Sequence, residues 1–125
     1  MHSILIVEDE QVQRDVLSEK MKAEGFTVYQ AADGESGLKT AFEQSPDIIL
    51  LDNRMPTMTG YQMLRRLRDS SPWGEKVPVI FFSNVEPTSK DEKADLDAIA
   101  PTAYLLKSES GLADIVAKVK ETLGV

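Results

Sequence analysis

Short apolar runs alternate along the whole chain with stretches of helical periodicity. Residues 3–7, 27–30, 47–51, 78–82 and 103–106 have the length and composition of strands. The first, third and fourth of these are nearly continuous in apolar residues, as strands covered on both faces are. Between them, residues 11–24 predict a helix with Val12, Val16, Leu17 and Met21 on one side and Gly25 as its stop. A second helix follows Asp33, a good N-cap, and is expected to bury Leu38, Ala41 and Phe42. A third follows Gly60, with Met63, Leu64 and Leu67 inward and Arg65, Arg66 and Arg68 on a solvated face. The stretch 70–77, with Trp73, is expected to be a loop. A fourth helix over 90–100 has only Leu96 and Ile99 as large anchors, so loose packing is expected there. The last helix carries the cleanest stripe, Leu112, Ile115, Val116, Val119 and Leu123.

Strict β–α alternation implies an α/β sandwich, a parallel sheet between helical layers with right-handed crossovers. Five strands suit the doubly wound, flavodoxin-like order 2-1-3-4-5, whose switch point lies between strands one and three. Parallel strands all end at one edge, and a polar group follows most of the apolar runs. Glu8 and Asp9 follow the first, Asp52 the third, Ser83 the fourth and Lys107 the fifth. Topology therefore gathers three carboxylates, a hydroxyl and an ammonium where open α/β sheets bind ligands.

Composition narrows the class. The 125 residues, 42% hydrophobic and 28% charged, describe one globular domain spanning 1–125. A net charge of -7 repels phosphate backbones and anionic lipids, which argues against direct binding of nucleic acid or membrane. The chain has no cysteine, no apolar run near the ~20 residues that span a bilayer, and no leader pattern at its start. A cytoplasmic protein with protein partners is the expectation. His2, the sole histidine, is expected to be an exposed terminal residue.

Two bare carboxylates about 4 Å apart repel by roughly 4 kcal/mol at an effective dielectric of 20, so such a cluster raises a pKa or binds a cation. Hard oxygen ligands without His or Cys favour Mg²⁺. Asp52 is the best nucleophile of the set, able to attack a phosphoryl group and form an aspartyl phosphate. Ser83 and Lys107 would meet phosphoryl oxygens. Taken singly, each residue also has a plainer role: acids end strands and cap helices, Ser83 closes a strand, and Lys107 is a solvated charge.

These residues sit in Ile-Val-Glu-Asp-Glu at 6–10, Leu-Asp-Asn-Arg-Met-Pro at 51–56 with Gly60 following, Phe-Phe-Ser at 81–83 and Tyr-Leu-Leu-Lys at 104–107. In that order they resemble a response-regulator receiver domain, the phosphoacceptor half of two-component signalling. The resemblance covers essentially the whole chain. It implies that Asp52 accepts a phosphoryl group from a histidine kinase or a histidine phosphotransfer protein. It implies direct Mg²⁺ ligation by Asp9, Asp52 and the backbone carbonyl of Arg54, with Glu8 acting largely through water. Ser83 and Lys107 would engage the phosphoryl group, and Tyr104 would be the switch aromatic. The output would pass through the fourth helix, fifth strand and fifth helix to a downstream protein or effector domain. Such a chain catalyses only its own phosphorylation and dephosphorylation. It departs from the family at Ser108, where proline usually follows the lysine, at Asn84, where a small residue is usual, and before Tyr104, where residues 100–103 lack the usual glycine.

Three other functions fit parts of the pattern. A pseudo-receiver that binds proteins without phosphorylation shares the fold. An aspartyl-nucleophile hydrolase needs a second acid where this chain has Arg54. A flavin mononucleotide carrier needs a glycine- and hydroxyl-rich loop where Glu8 and Asp9 stand.

Overall fold

In a computed structural model of the chain, the described residues are 2–53, 55, 57–83, 103–107 and 110–125. The elements are β1 (Ser3–Val7), α1 (Gln11–Ala23), β2 (Thr27–Ala31), α2 (Gly34–Gln44), β3 (Ile48–Leu51), α3 (Gly60–Ser70), α4 (Pro72–Lys76), β4 (Val79–Ser83), β5 (Ala103–Leu106) and α5 (Leu112–Leu123). The strands pair in parallel in the order β2-β1-β3-β4-β5, as the alternation predicts. Val7 lies opposite both Ala31 and Leu51, Leu51 opposite Phe81, and Phe81 opposite Tyr104. The expected helix over 90–100, and the departures at Asn84, Ser108 and residues 100–102, lie outside the described residues.

The apolar strands are buried because helices cover both sheet faces. Leu5, Val7, Ile49, Leu51, Val79 and Phe81 pack on one face with Leu38 and Ala41 of α2 and Met63, Leu64 and Leu67 of α3. The alternate residues Ile4, Ile6, Ile48, Leu50, Ile80 and Phe82 pack on the other face with Leu17 and Met21 of α1 and Ile115, Val116 and Val119 of α5. Period-two alternation sorts neighbours in one strand into separate cores.

Local signals act where expected. Gly25 ends α1 in the left-handed region at φ 94°, and Phe26 N–H donates back to Met21 O at 3.0 Å. Asp33 caps α2, its carboxylate accepting from Ser36 N–H at 2.8 Å. Thr59 and Gln62 form a reciprocal capping box at the start of α3.

Several expectations need correction. First, the stretch 70–77 is not simply a loop. Ser71 caps it, Pro72 opens it and α4 follows. Arg68 is not solvated either: its Nη1 donates to Gly74 O at 2.9 Å and Val77 O at 2.6 Å, tying α4 to α3. Burial lowers its pKa, and a guanidinium remains charged through such a shift. Second, Val12 and Val16 are exposed, 69% and 45%. They lie one helical row round from Leu17 and Met21 and line a groove of about 260 Å³ between α1 and α5 rather than the core. Third, Phe42 is also exposed, one position past buried Ala41. Among the described residues, no helix is long and apolar enough to cross a membrane.

These placements separate two positions of one helix. Leu17→Ala is expected to lower unfolding free energy by about 2–5 kcal/mol, and Val12→Ala to change it by no more than about 0.5 kcal/mol. Urea denaturation checks both, and equal losses would put Val12 in the core.

Candidate functional site

The residues that end the strands are held there by the sheet itself. Glu8 N–H donates to Ala31 O at 3.1 Å, Asp52 N–H to Val7 O at 3.0 Å, and Lys107 N–H to Ser83 O at 2.8 Å. Each residue continues the ladder by one bond past its last strand residue, so their positions relative to one another follow from strand register. Glycine completes the arrangement at Gly60. A Cβ there would meet Asp52 O at 2.7 Å, Asn53 Cα at 2.8 Å and the Phe81 ring at 2.8 Å. Only a residue without a side chain lets α3 begin so close to the backbone of Asp52. Gly60 N–H donates to Asn53 O, and Asn53 Oδ1 accepts from Tyr61 N–H at 3.1 Å, closing the loop after Asp52.

The side chains converge as expected from the sequence. Glu8, Asp9 and Asp52 each offer a carboxylate oxygen, all within 4.8 Å of one another. Glu8 and Asp52 are buried, whereas Asp9 is exposed and opens the cluster to solvent. Lys107 reaches across from β5, its Nζ 3.0 Å from Glu8 Oε2 and 3.3 Å from Asp52 Oδ2, with only 8% of its side chain exposed. The same ammonium lies 5.5 Å from the Phe82 ring centroid. Ser83 is fully buried at the end of β4. Tyr104 stacks on Phe81 with centroids 5.6 Å apart, and Phe81 also meets Tyr61 at 5.4 Å. Arg54 lies outside the described residues.

Two participants have no counterpart in the sequence pattern. Gln13, in the first turn of α1, accepts a hydrogen bond from Lys107 Nζ through its Oε1. Arg14 donates from Nη1 to the carbonyl oxygen of Glu8 at 2.8 Å. Their one visible signal is position, since the first turn of a helix that follows a strand end lies over that edge.

Burial pushes the Glu8 carboxyl up from 4.5 to about 7; the Asp52 charge adds to the rise, while Lys107 and the Glu10 N–H oppose it. Three carboxylates against one ammonium leave two negative charges when all are ionised, which one divalent cation neutralises. The donors are oxygens alone and one of them faces water, so the set fits a hard cation that keeps part of its hydration.

The family model described as response regulator receiver domain matches residues 4–120. The chain is 36% identical over 109 residues to the gliding motility regulatory protein of Myxococcus xanthus, covering 87% of this chain and 14% of that protein. It is 36% identical over 123 residues to the KDP operon transcriptional regulatory protein KdpE of Escherichia coli, covering 98% of this chain and 52% of that protein. The chain thus spans about half or less of these relatives. Its fold matches the chemotaxis protein CheY4 of Vibrio cholerae with a TM-score of 0.86, 26% identity, and coverage of 97% and 98% of the two chains.

The raised Glu8 carboxyl predicts a direction for stability without metal. The folded chain keeps a proton on Glu8 that the unfolded chain releases between pH 4.5 and about 7. That contribution is full below 4.5 and is lost as pH rises through about 7. In chelator, the melting temperature of the wild type relative to Glu8→Gln is expected to fall across this window. A difference that is flat or rises with pH would contradict the assignment. Gly60→Ala is expected to lose about 1–3 kcal/mol in urea denaturation through overpacking, with shifted amide resonances at Asp52 and Asn53. Unchanged resonances there would mean that the close approach is not maintained in solution.

Proposed function

This chain belongs to the response regulator receiver family, and we propose that it is a phosphorylation-dependent switch in which Asp52 accepts a phosphoryl group. The observation that carries this proposal is the buried Lys107 ammonium bridging Glu8 and Asp52 beside an exposed Asp9. In the proposed reaction, an Asp52 carboxylate oxygen attacks phosphorus, a P–O bond forms, and the donor's bond to phosphorus breaks as its leaving group departs. The product is an acyl phosphate on Asp52. Phosphoryl transfer asks mainly for in-line placement and neutralised charge. Strand register and Gly60 fix the backbone of Asp52, and Lys107 is near enough to donate to a phosphoryl oxygen. Mg²⁺, held directly by Asp9, Asp52 and the carbonyl of Arg54, with Glu8 acting through water, would neutralise oxygens of the transferring group. Ser83 would meet the same group from the end of β4. The whole chain, 1–125, acts as one phosphoacceptor unit.

The donor is a histidine kinase or a histidine phosphotransfer protein in the cytoplasm. The chain turns over no separate substrate, since its one reaction is on itself. Output goes to a downstream protein or effector domain, not directly to nucleic acid or membrane, consistent with the acidic surface. Tyr104 is the switch aromatic. Its ring rests on Phe81, next in sequence to the strand end that holds Phe82 and Ser83, so movement of Ser83 reaches that stack and the surface of β5 and α5.

Intact mass after incubation with acetyl phosphate tests the reaction. One phosphoryl group is expected on the wild type with Mg²⁺, and none with chelator or in Asp52→Asn. Uptake that persists in Asp52→Asn would place the chemistry elsewhere. No uptake by the wild type would leave a protein-binding module that works without phosphorylation.

A further inference from the structure

We propose that Gln13 is a positioning residue for Lys107, taking one of the three ammonium protons and so fixing where the other two point. The inference rests on the switch proposed above and adds to it a residue from a different element. An ammonium donates three hydrogen bonds and accepts none. Among the described residues its three acceptors are Glu8 Oε2 at 3.0 Å, Asp52 Oδ2 at 3.3 Å and Gln13 Oε1. The two carboxylates come from the sheet edge, and Gln13 comes from α1. Lys107 has a flexible four-carbon stem, which two acceptors on the same edge leave free to swing. The third acceptor, on another element, holds the charge in place.

The identity of the side chain matters as much as its location. An apolar residue at 13 would leave an ammonium proton without that acceptor on a side chain only 8% exposed, at the cost of an unmade hydrogen bond to a charged group. A carboxylate there would keep the acceptor and add a fourth negative charge to a cluster that already holds three. Glutamine does neither. Of the three contacts, the one to Asp52 is the longest. It is therefore the hydrogen bond that is redirected to a phosphoryl oxygen when Asp52 is modified, while Glu8 and Gln13 keep the ammonium in place.

The test follows the Lys107 ammonium itself by nitrogen-edited NMR of the metal-free protein. Its protons are expected to exchange with water several-fold faster in Gln13→Met and to stay slow in Gln13→Glu, which restores the acceptor. A stability cycle runs in parallel, with Gln13→Met and Lys107→Met expected to cost clearly less together than the sum of the two alone. Uptake from acetyl phosphate by Gln13→Met is expected to fall about tenfold, the worth of one hydrogen bond to a charged group. Should Gln13→Met fail to fold, Gln13→Asn withdraws the amide by one methylene and carries the same expectations. Unchanged exchange of the Lys107 protons, or additive stability losses, overturns the proposal, because a Gln13 that only packs α1 gives both. If the wild type takes up no phosphoryl group, the switch falls, and the exchange rates and the cycle still decide on Gln13.

Discussion

One buried ammonium holds the site together. Lys107 Nζ links the ends of β5, β1 and β3 and the first turn of α1 through Glu8, Asp52 and Gln13. Removing one partner from such a buried ion pair typically costs 3–5 kcal/mol, because the partner left behind keeps its desolvation penalty. Here the residue left behind would be a pair of carboxylates facing each other. The members of the cluster are therefore coupled, and its three carboxylates outnumber the Lys107 ammonium that bridges two of them. The upward push on Glu8 is the same imbalance expressed as proton affinity.

Strand ends were legible because parallel topology converts sequence position into spatial position. Once Ile4 to Val7 and Ile48 to Leu51 are read as buried strands, Glu8 and Asp52 have nowhere to go but the same edge. Lys107 followed by the same rule. Helix rows were less legible. Val12 and Val16 match a helical stripe as well as Leu17 and Met21 do, and only the position of α5 decides which row meets the core. Gln13 was invisible because no periodicity marks a polar residue whose partner lies 94 positions away. The role of Arg68 is hidden for a related reason: its carbonyl acceptors lie in and just after α4, a helix too short to show a pattern of its own.

Sheet pleating divides the site's neighbourhood in two. Phe81 turns to the α2 and α3 side, stacks with Tyr104 and meets the tilted Tyr61 ring, while Phe82 turns to the α1 and α5 side beneath the Lys107 ammonium. Ser83 ends the same strand and accepts from the Lys107 backbone. A displacement of the end of β4 is therefore felt on both faces at once, by an aromatic stack on one and by a charge on the other. Close packing leaves little slack to absorb it.

Trp73, the chain's one tryptophan, sits in α4 beside Ser45, Pro46, Asp47, Val77 and Pro78, residues that precede β3 and β4. It lies at the sheet edge opposite the carboxylates and partly against the core. The indole is thus a spectroscopic probe separated from the acidic cluster by the length of the strands. Its surroundings are the start of β3 and β4 and the core beneath α4, not the carboxylates.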